Sequence, residues 1–465
     1  MVTSVFAACN GDTPEVTTDD PTQESEVVEL LPDIEKKNYG KEFYLPIHGD
    51  LDHYYVEERL DDVVSVAVYN RQEKVKKYLG VEIISTETLG HDEYGAVFMT
   101  SVKNKDGSVH AIMTNPYMSL TNFISGNYLR DYNDMPAIDL NADYWNLDMM
   151  EGVAANDHLY LGASDYKMVS TYVVTFNKEM LDKYSDALDE PIYDTVTNYR
   201  WTLDKMISLA SLVYIDQGEP GKTEDDIFGI TGWQWQPFIN FLQASNIQLV
   251  EQNERGVYEV SVYNAKNKEK TTNIIDKLND LVRADYSWFN YKLESTPVIS
   301  MTSNRTLLYI SLTHYLSGLL KSDVEFGVLP YPMYDENQKN VGYRSLDWSG
   351  WLCIPSYLED EQMVGETLEM LAYYSDDVVL AYYEKMLGKQ VADAPDDKKM
   401  LDIIWDSICS DVGLTYSNMS VLLDINLYLV PQVTYINADK GLAAYVQQYE
   451  KQANSILKKF FKELK

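Results

Sequence analysis

Hydrophobic positions along this chain recur with two periods, and the period switches from segment to segment. Lys41–Ile47 alternates as a strand does, and His48-Gly49-Asp50 breaks the run. From Asp61 to Leu79 the apolar positions Val64, Val68, Val75 and Leu79 fall at helical spacing, and Gly80 stands where a C-terminal glycine cap belongs. A strand over Val81–Ile84, a helix over 92–102, a strand over 109–113 and a helix over 117–126 continue the alternation. A second region repeats it with an extended run Met168–Phe176 and a helix Lys178–Tyr184. The next helix opens at Arg200-Trp201-Thr202-Leu203-Asp204, with Thr202 as N-cap and Leu203, Ile207, Ala210 and Val213 as its apolar face. Asn264–Ala284 is amphipathic through Ile274, Ile275, Leu278, Leu281 and Val282. Strands and helices that take turns in this way predict an α/β class with open, largely parallel sheets. The C-terminal third reads as helices: Glu361–Tyr374, Asp377–Met386, Asp397–Ser407 and a closing helix from Gly441. That last helix carries Lys451, Lys458, Lys459, Lys462 and Lys465, which suit a helix C-terminus, while Leu442, Tyr445, Tyr449 and Ile456 pack it onto its own domain.

A length of 465 residues excludes a single small core and suits two to four domains. Acidic residues outnumber basic ones by 73 to 38, a formal net charge of −35, so a nucleic-acid backbone or an anionic lipid surface would repel the chain. Disorder does not follow, because 45% hydrophobic residues supply enough apolar surface to offset the entropy of ordering. Tyrosine stands out at 37 against 12 Phe and 8 Trp, which gives many flat apolar faces that also carry a hydroxyl.

Three cysteines, Cys9, Cys353 and Cys409, form neither a zinc spacing nor a disulfide framework. No stretch approaches the ~20 apolar residues that span a bilayer. Small residues precede Cys9 in Val5-Phe6-Ala7-Ala8, and Asn10–Glu35 is acidic, polar and free of Lys and Arg. A cysteine followed by a solvated spacer and a folded body is the layout of a bacterial lipoprotein, with Cys9 as the lipid attachment site and 10–38 as the tether. The alternative is a free or buried cysteine in a ragged terminus.

Several apparent motifs fail on their own chemistry. Gly218-Glu219-Pro220-Gly221-Lys222-Thr223 has Asp216 where a phosphate loop needs glycine, and Glu224, Asp225 and Asp226 would repel phosphate; it reads as a surface turn. Asp139-Leu140-Asn141-Ala142-Asp143 opens like a calcium loop but has Tyr144 at its sixth position and Met150 at its twelfth. Histidines 48, 53, 91, 110, 158 and 314 never fall at i, i+4, so no metal site and no cofactor are expected. With so many carboxylates, some pair at glycosidase separation is guaranteed and says nothing alone.

Ordered segments do carry a resemblance. Val68–Val75 with Tyr78–Ile83, Met135–Leu140 with Tyr144-Trp145, Asn156–Tyr160, Val173–Leu181, Trp201–Met206, Phe228-Gly229-Ile230 with Trp233, Phe326–Pro332 and Ser349–Pro355 resemble, in that order, extracellular solute-binding proteins of ABC importers, family 1 type. The resemblance implies a type II periplasmic-binding fold, two α/β lobes joined by crossing strands with ligand in the cleft. By that analogy 39–163 plus 323–357 form lobe one, 164–322 plus 358–465 form lobe two, and 1–9 is the remnant of a signal sequence. It also implies an extracellular monomer on the outer face of the bacterial cytoplasmic membrane, touching the membrane only through its lipid and handing solute to permease subunits.

Solute capture needs flat apolar faces and fixed polar groups. Trp233, Trp235, Trp348 and Trp351 sit in or near glycine-containing loops, as a platform for a sugar ring would, whereas Trp201 and Trp405 fall on helices and read as core and Trp288 stays open. The polar candidates are Asn115, Tyr117, Asp165, Tyr166, Asn304, Arg305, Arg344 and Asp347; Arg and Asp can fork onto vicinal hydroxyls. A carbohydrate, an oligosaccharide, is the expected ligand, with a peptide or another small polar solute as the alternative. A secreted glycoside hydrolase is the competing class, and the two halves lack the eightfold βα repeat of a hydrolase barrel.

Overall fold

A computed structural model describes residues 31–46, 54–85, 91–114, 120–166, 170–218, 220–234, 237–290, 299–321, 323–388, 391–419, 422, 429–431, 434 and 441–464. Its strands, in chain order, are β1 Lys41–Tyr44, β2 Val81–Ile84, β3 Ile112–Met113, β4 Tyr172–Asn177, β5 Tyr214–Ile215, β6 Ile227–Gly232, β7 Val250–Gln252, β8 Tyr258–Val260, β9 Ser287–Phe289, β10 Thr306–Leu312, β11 Phe326–Leu329, β12 Ser345–Leu346, β13 Leu352–Cys353 and β14 Ile408–Cys409.

The smaller lobe grows from a β–helix–β unit. Helix Val63–Leu79 starts where the Asp62 carboxylate accepts from Val64 N and Ser65 N and stops at Gly80, whose φ of 62° no β-carbon opposes. The helix returns the chain so that β2 lies parallel to β1, from Lys41 opposite Val81 to Tyr44 opposite Ile84. β3 pairs antiparallel with β13, which arrives from far along the sequence. The larger lobe holds a six-stranded sheet in the order β11-β4-β10-β6-β5, with β9 also on β6. β10, β6 and β9 run parallel while β4 runs against β10 and β11, so the sheet is mixed rather than all parallel.

Two strands of chain cross between the lobes side by side. Gly162 pairs with Leu352 and Thr171 with Asp347, both antiparallel, and Trp348 N donates to Ser170 O at 2.7 Å. The expected lobe boundaries move at two places. β11 lies inside 323–357 yet pairs with β4 in the larger sheet, with Gly327 opposite Phe176, where a β-carbon would overlap that ring. Helix Glu361–Tyr373 lies inside 358–465 yet docks on the smaller lobe through three acidic residues. Glu361 meets Arg130 at 2.9 Å, Glu366 meets Lys37 at 2.7 Å, and Glu369 accepts from Tyr144 Oη and Trp145 Nε1 at 2.6 and 2.8 Å.

Gly365 lets that helix come close, since a β-carbon there would stand 1.9 Å from Pro136 O. Alanine in a helix interior is favoured over glycine by about 1 kcal/mol, but overpacking against a fixed carbonyl costs about 1–3 kcal/mol. The clash wins, so Gly365→Ala is expected to lower the denaturation midpoint; a higher midpoint would contradict the close docking.

The phosphate-loop look-alike has a structural use: Lys222 Nζ donates to Ala284 O and Ser287 O, holding the C-terminal end of helix Lys268–Arg283. The closing helix, Leu442–Glu463, buries Leu442 and Tyr445 and half-buries Tyr449 and Ile456. Among the described residues no helix is long and apolar enough to cross a membrane.

Candidate functional site

Strand direction locates the cleft. β6, β9 and β10 all end at the same edge of the large sheet, where Leu312 lies opposite Tyr172, the first residue of β4 after the crossing. Thr313 N donates to Thr171 O at 2.9 Å, so the carboxyl ends of these strands face the crossings. Open α/β sheets bind ligands at such ends.

A polar knot fixes the crossings to the large lobe. Thr171 Oγ1 lies 2.6 Å from Ser345 Oγ and donates to Leu346 O at 2.6 Å. Asn240, on the buried helix Pro237–Ala244, donates to Ser345 Oγ at 2.8 Å and accepts from Leu346 N at 2.9 Å. β12 then pairs in parallel with β14, setting Leu346 beside Cys409.

Beside this knot lies a narrow cavity of about 40 Å³. Leu346, Asp347, Trp348, Gly350 and Trp351 of the second crossing form one wall; Met149 and Leu120 of the smaller lobe close one end. Opposite stands the segment after β14, with Ser410, Asp411, Leu414, Thr415, Ser417 and Asn418. Trp348 and Trp351 are 8% and 7% exposed, and the Trp348 ring meets Tyr172 edge-on at 5.9 Å. Trp348 Nε1 is enclosed, with no hydrogen-bond partner among the described residues. Gly350, at φ 93°, makes the turn that sets the two indoles on one wall.

Both carboxylates of the pocket are occupied by protein donors. Asp347 accepts from Ser349 N and Ser349 Oγ at 2.9 Å each and from Ser170 N at 3.3 Å. Asp411 accepts from Gln243 Nε2, Leu249 N and Leu414 N at 2.7, 2.8 and 3.2 Å, and burial pushes its carboxyl up despite those donors. Asp347 thus shapes the tryptophan loop while lining the pocket.

The other expected residues divide. Asp165 sits half-buried on the first crossing, its N–H donating to Tyr144 O at 2.9 Å. Burial, then the Asp376 and Asp143 carboxylates, push it up to about 7, opposed by a hydrogen bond with Trp405. Tyr166 is a correction: it is fully buried, donating to Tyr54 O at 3.2 Å under the Arg71 guanidinium at 4.5 Å, so it packs the crossing and offers nothing to a ligand. Asn304 and Arg305 are a second correction. They precede β10 and stand at the far edge of the sheet, with Asn304 held by Asn177 and Glu179 and Arg305 by Glu224 O and Asp225. Trp233 follows β6 at the cleft edge, half-buried, with its Nε1 enclosed and unpartnered, but does not line the pocket. Arg344 stands just before β12 beside Cys409. Asn115, Tyr117, Trp235 and Cys9 lie outside the described residues. Trp201 is fully buried, Trp405 packs edge-on to Tyr383, and Trp288 stacks on Phe228 at 5.4 Å. Among the described residues no group of His, Cys, Asp and Glu could hold a metal ion.

Asp165 gives a pH dependence with a definite sign. Folded, its carboxyl holds a proton up to about pH 7; unfolded, it releases it near 3.9. Its contribution to stability is therefore full below pH 4 and is lost as pH rises through 7. Asp165→Asn is expected to raise the melting temperature at pH 8 and to flatten its decline between pH 5 and 7. Parallel wild-type and variant curves would contradict this.

Neither a protein-family model nor a curated protein sequence matches the chain. Solved structures do. The GacH receptor of Streptomyces glaucescens, crystallised unliganded and with acarbose and an acarbose homologue, aligns at a TM-score of 0.54 with 13% identity, covering 91% of this chain and 99% of its own. An ABC substrate-binding protein of Listeria monocytogenes in complex with cycloalternan aligns at 0.56 with 12% identity, covering 89% and 98%. Maltose-bound MalE3 of T. maritima aligns at 0.52 with 13% identity, covering 91% and 100%. The chain thus has the two-lobed α/β fold of these binding proteins over about nine tenths of its length.

Proposed function

We propose that this protein captures an extracellular carbohydrate, an oligosaccharide, between its lobes and releases it unchanged to an ABC permease, as the binding component of an importer. The observation that carries this is the wall made by Trp348 and Trp351 in the interlobe pocket, with the Trp348 Nε1 donor enclosed and lacking an acceptor. Sugars present apolar ring faces and rings of oxygen acceptors, and an indole meets both needs at once. The fold shared with three proteins solved with acarbose, cycloalternan and maltose supports the same reading. Ligand bound on one lobe and touched by the other favours a closed arrangement, which a membrane partner distinguishes from the open one. In this reading Cys9 carries the lipid and the acidic segment after it holds the monomer off the outer face of the membrane; incorporation of radiolabelled palmitate, lost in Cys9→Ala, tests that part.

The functional test is a melting-temperature screen against neutral and acidic oligosaccharides, peptides and polyamines. Saturating ligand at a hundred times Kd stabilises by about 2.7 kcal/mol, a readily seen shift. A shift with one class of glycan is expected. Silence across the glycans with a shift for peptides would overturn the carbohydrate assignment, and hydrolysis of a chromogenic glycoside would overturn the binding role.

A further inference from the structure

A loop of the smaller lobe, 149–156, is bonded along its length to the larger one. Its own lobe fixes it at both ends. Asn146 N donates to Ala163 O at 2.9 Å before it, and after it His158 Nδ1 lies 2.7 Å from Asp131 Oδ2 while Leu159 N donates to Asp131 Oδ1 at 3.0 Å. The tip is a tight turn in which Ala155 and His158 exchange both backbone bonds, with Asn156 and Asp157 between them at φ 53° and 68°. Short polar side chains tolerate that left-handed backbone. The turn brings the Asn156 amide to the C-terminus of helix Leu442–Glu463, where Nδ2 donates to Phe461 O at 2.7 Å and Leu464 O at 3.0 Å, carbonyls that a helix end leaves open.

The rest of the loop is held in the same way. Tyr258 Oη, on β8, donates to Ala154 O at 3.2 Å, Tyr416 Oη donates to Val153 O at 2.7 Å, and Ser410 Oγ donates to Met149 O at 2.8 Å. These donors stand on the larger lobe. Val260 N of β8 donates to Asn454 Oδ1 of the last helix at 2.7 Å, and Asp411 ties the segment after β14 to Gln243 and Leu249. Rings support the hydroxyls, since Tyr258 stacks on Phe461 at 4.0 Å and Tyr416 meets the same ring edge-on at 5.7 Å.

Met149 and Ser410 also line the pocket, so this row of bonds begins at its rim. A cavity of about 40 Å³ has room for a few waters and none for a sugar ring. Ligand therefore enters only when the lobes part, and parting them breaks the row. Every donor and acceptor in it is protein, so no ligand is needed to form it. We propose that the 149–156 loop is a latch that holds the lobes together without ligand, so that its release gates access to the pocket. This rests on capture between the lobes and adds what regulates it.

The test uses the protein's own thiols. Cys409 lines the pocket and is 7% exposed, whereas Cys353, on β13 of the smaller lobe, is fully buried. Alkylation of Cys409 follows the fraction of protein with its lobes apart, and alkylation of Cys353 follows unfolding. Asn156→Gly removes the bonds to the helix end without opposing the left-handed turn, and Tyr258→Phe removes the bond to Ala154 while keeping its ring on Phe461. Neither change touches the segment that carries Cys409. A hydrogen bond shifts an equilibrium by a net factor of about two to ten, so Cys409 of the double variant, in the full chain without ligand, is expected to react with iodoacetamide about tenfold or more faster than in the wild type. Cys353 is expected to keep its rate, both read by peptide mass spectrometry. Should the double variant fail to fold, Asn156→Gly alone decides, with an increase of about fourfold or more expected. An unchanged Cys409 rate overturns the latch, and so does a rise that Cys353 shares, the mark of general destabilisation. A faster Cys409 in a protein whose melting temperature answers to no solute removes the capture reading and leaves the latch standing.

Discussion

Trp348→Ala is expected to weaken oligosaccharide binding about thirtyfold or more, the effect of losing about 2 kcal/mol at a buried aromatic anchor. Two losses combine. The indole face is one side of the pocket, and its Nε1 is a donor that the fold leaves without an acceptor. Removing it takes away both the stacking surface and a donor that has no partner among the described residues. Trp348→Phe separates them: it keeps the face and loses the donor, so its affinity is expected to fall between wild type and alanine. Both are read by calorimetry, with the ligand-free melting temperature as a check on folding, since Trp348 also packs edge-on to Tyr172. Unchanged affinity in the alanine variant would place the ligand elsewhere.

Trp201→Ala is expected to destabilise the large lobe by about 3–5 kcal/mol, as truncation of a buried aromatic does. Trp201 is fully buried, and its Nε1 donates to Pro330 O at 2.9 Å, tying the entry of helix Leu203–Ala210 to the turn after β11. The neighbouring bonds, Leu203 N to Met333 O and Met333 N to Trp201 O, depend on the same alignment. Denaturant unfolding should show an earlier midpoint, and a loss under 1 kcal/mol would mean that the site collapses to fill the cavity.

What could be read in advance was whatever the chain states locally. Helix Val63–Leu79 is legible because its two stops, Asp62 and Gly80, lie beside its apolar stripe. The Trp348–Trp351 wall is legible because a glycine turn with exposed-looking indoles has no helical stripe to absorb them. The opposite wall, Ser410 to Asn418, is not: it includes one helix of only four residues, Val412–Thr415, and comes to the pocket because β14 pairs with β12 more than sixty residues earlier, which leaves no local mark. Asn304 and Arg305 differ from the expectation for a reason of direction. Ile299–Thr302 is a helical turn and β10 starts at Thr306, so they enter the strand from its amino end. In a parallel sheet that reversal moves a residue from the cleft to the opposite edge. The docking of helix Glu361–Tyr373 leaves no local mark because its partners, Arg130, Lys37 and Tyr144, are hundreds of residues away.

The most direct measurement of the central claim is a calorimetric titration of the full chain with an oligosaccharide that raises its melting temperature, followed by chromatography of the recovered sugar. Capture between the lobes predicts saturable binding at one sugar per protein, lost or strongly weakened in Trp348→Ala, with the sugar recovered intact. Heat that continues as the sugar is cleaved, or saturation that is indifferent to Trp348, would contradict it.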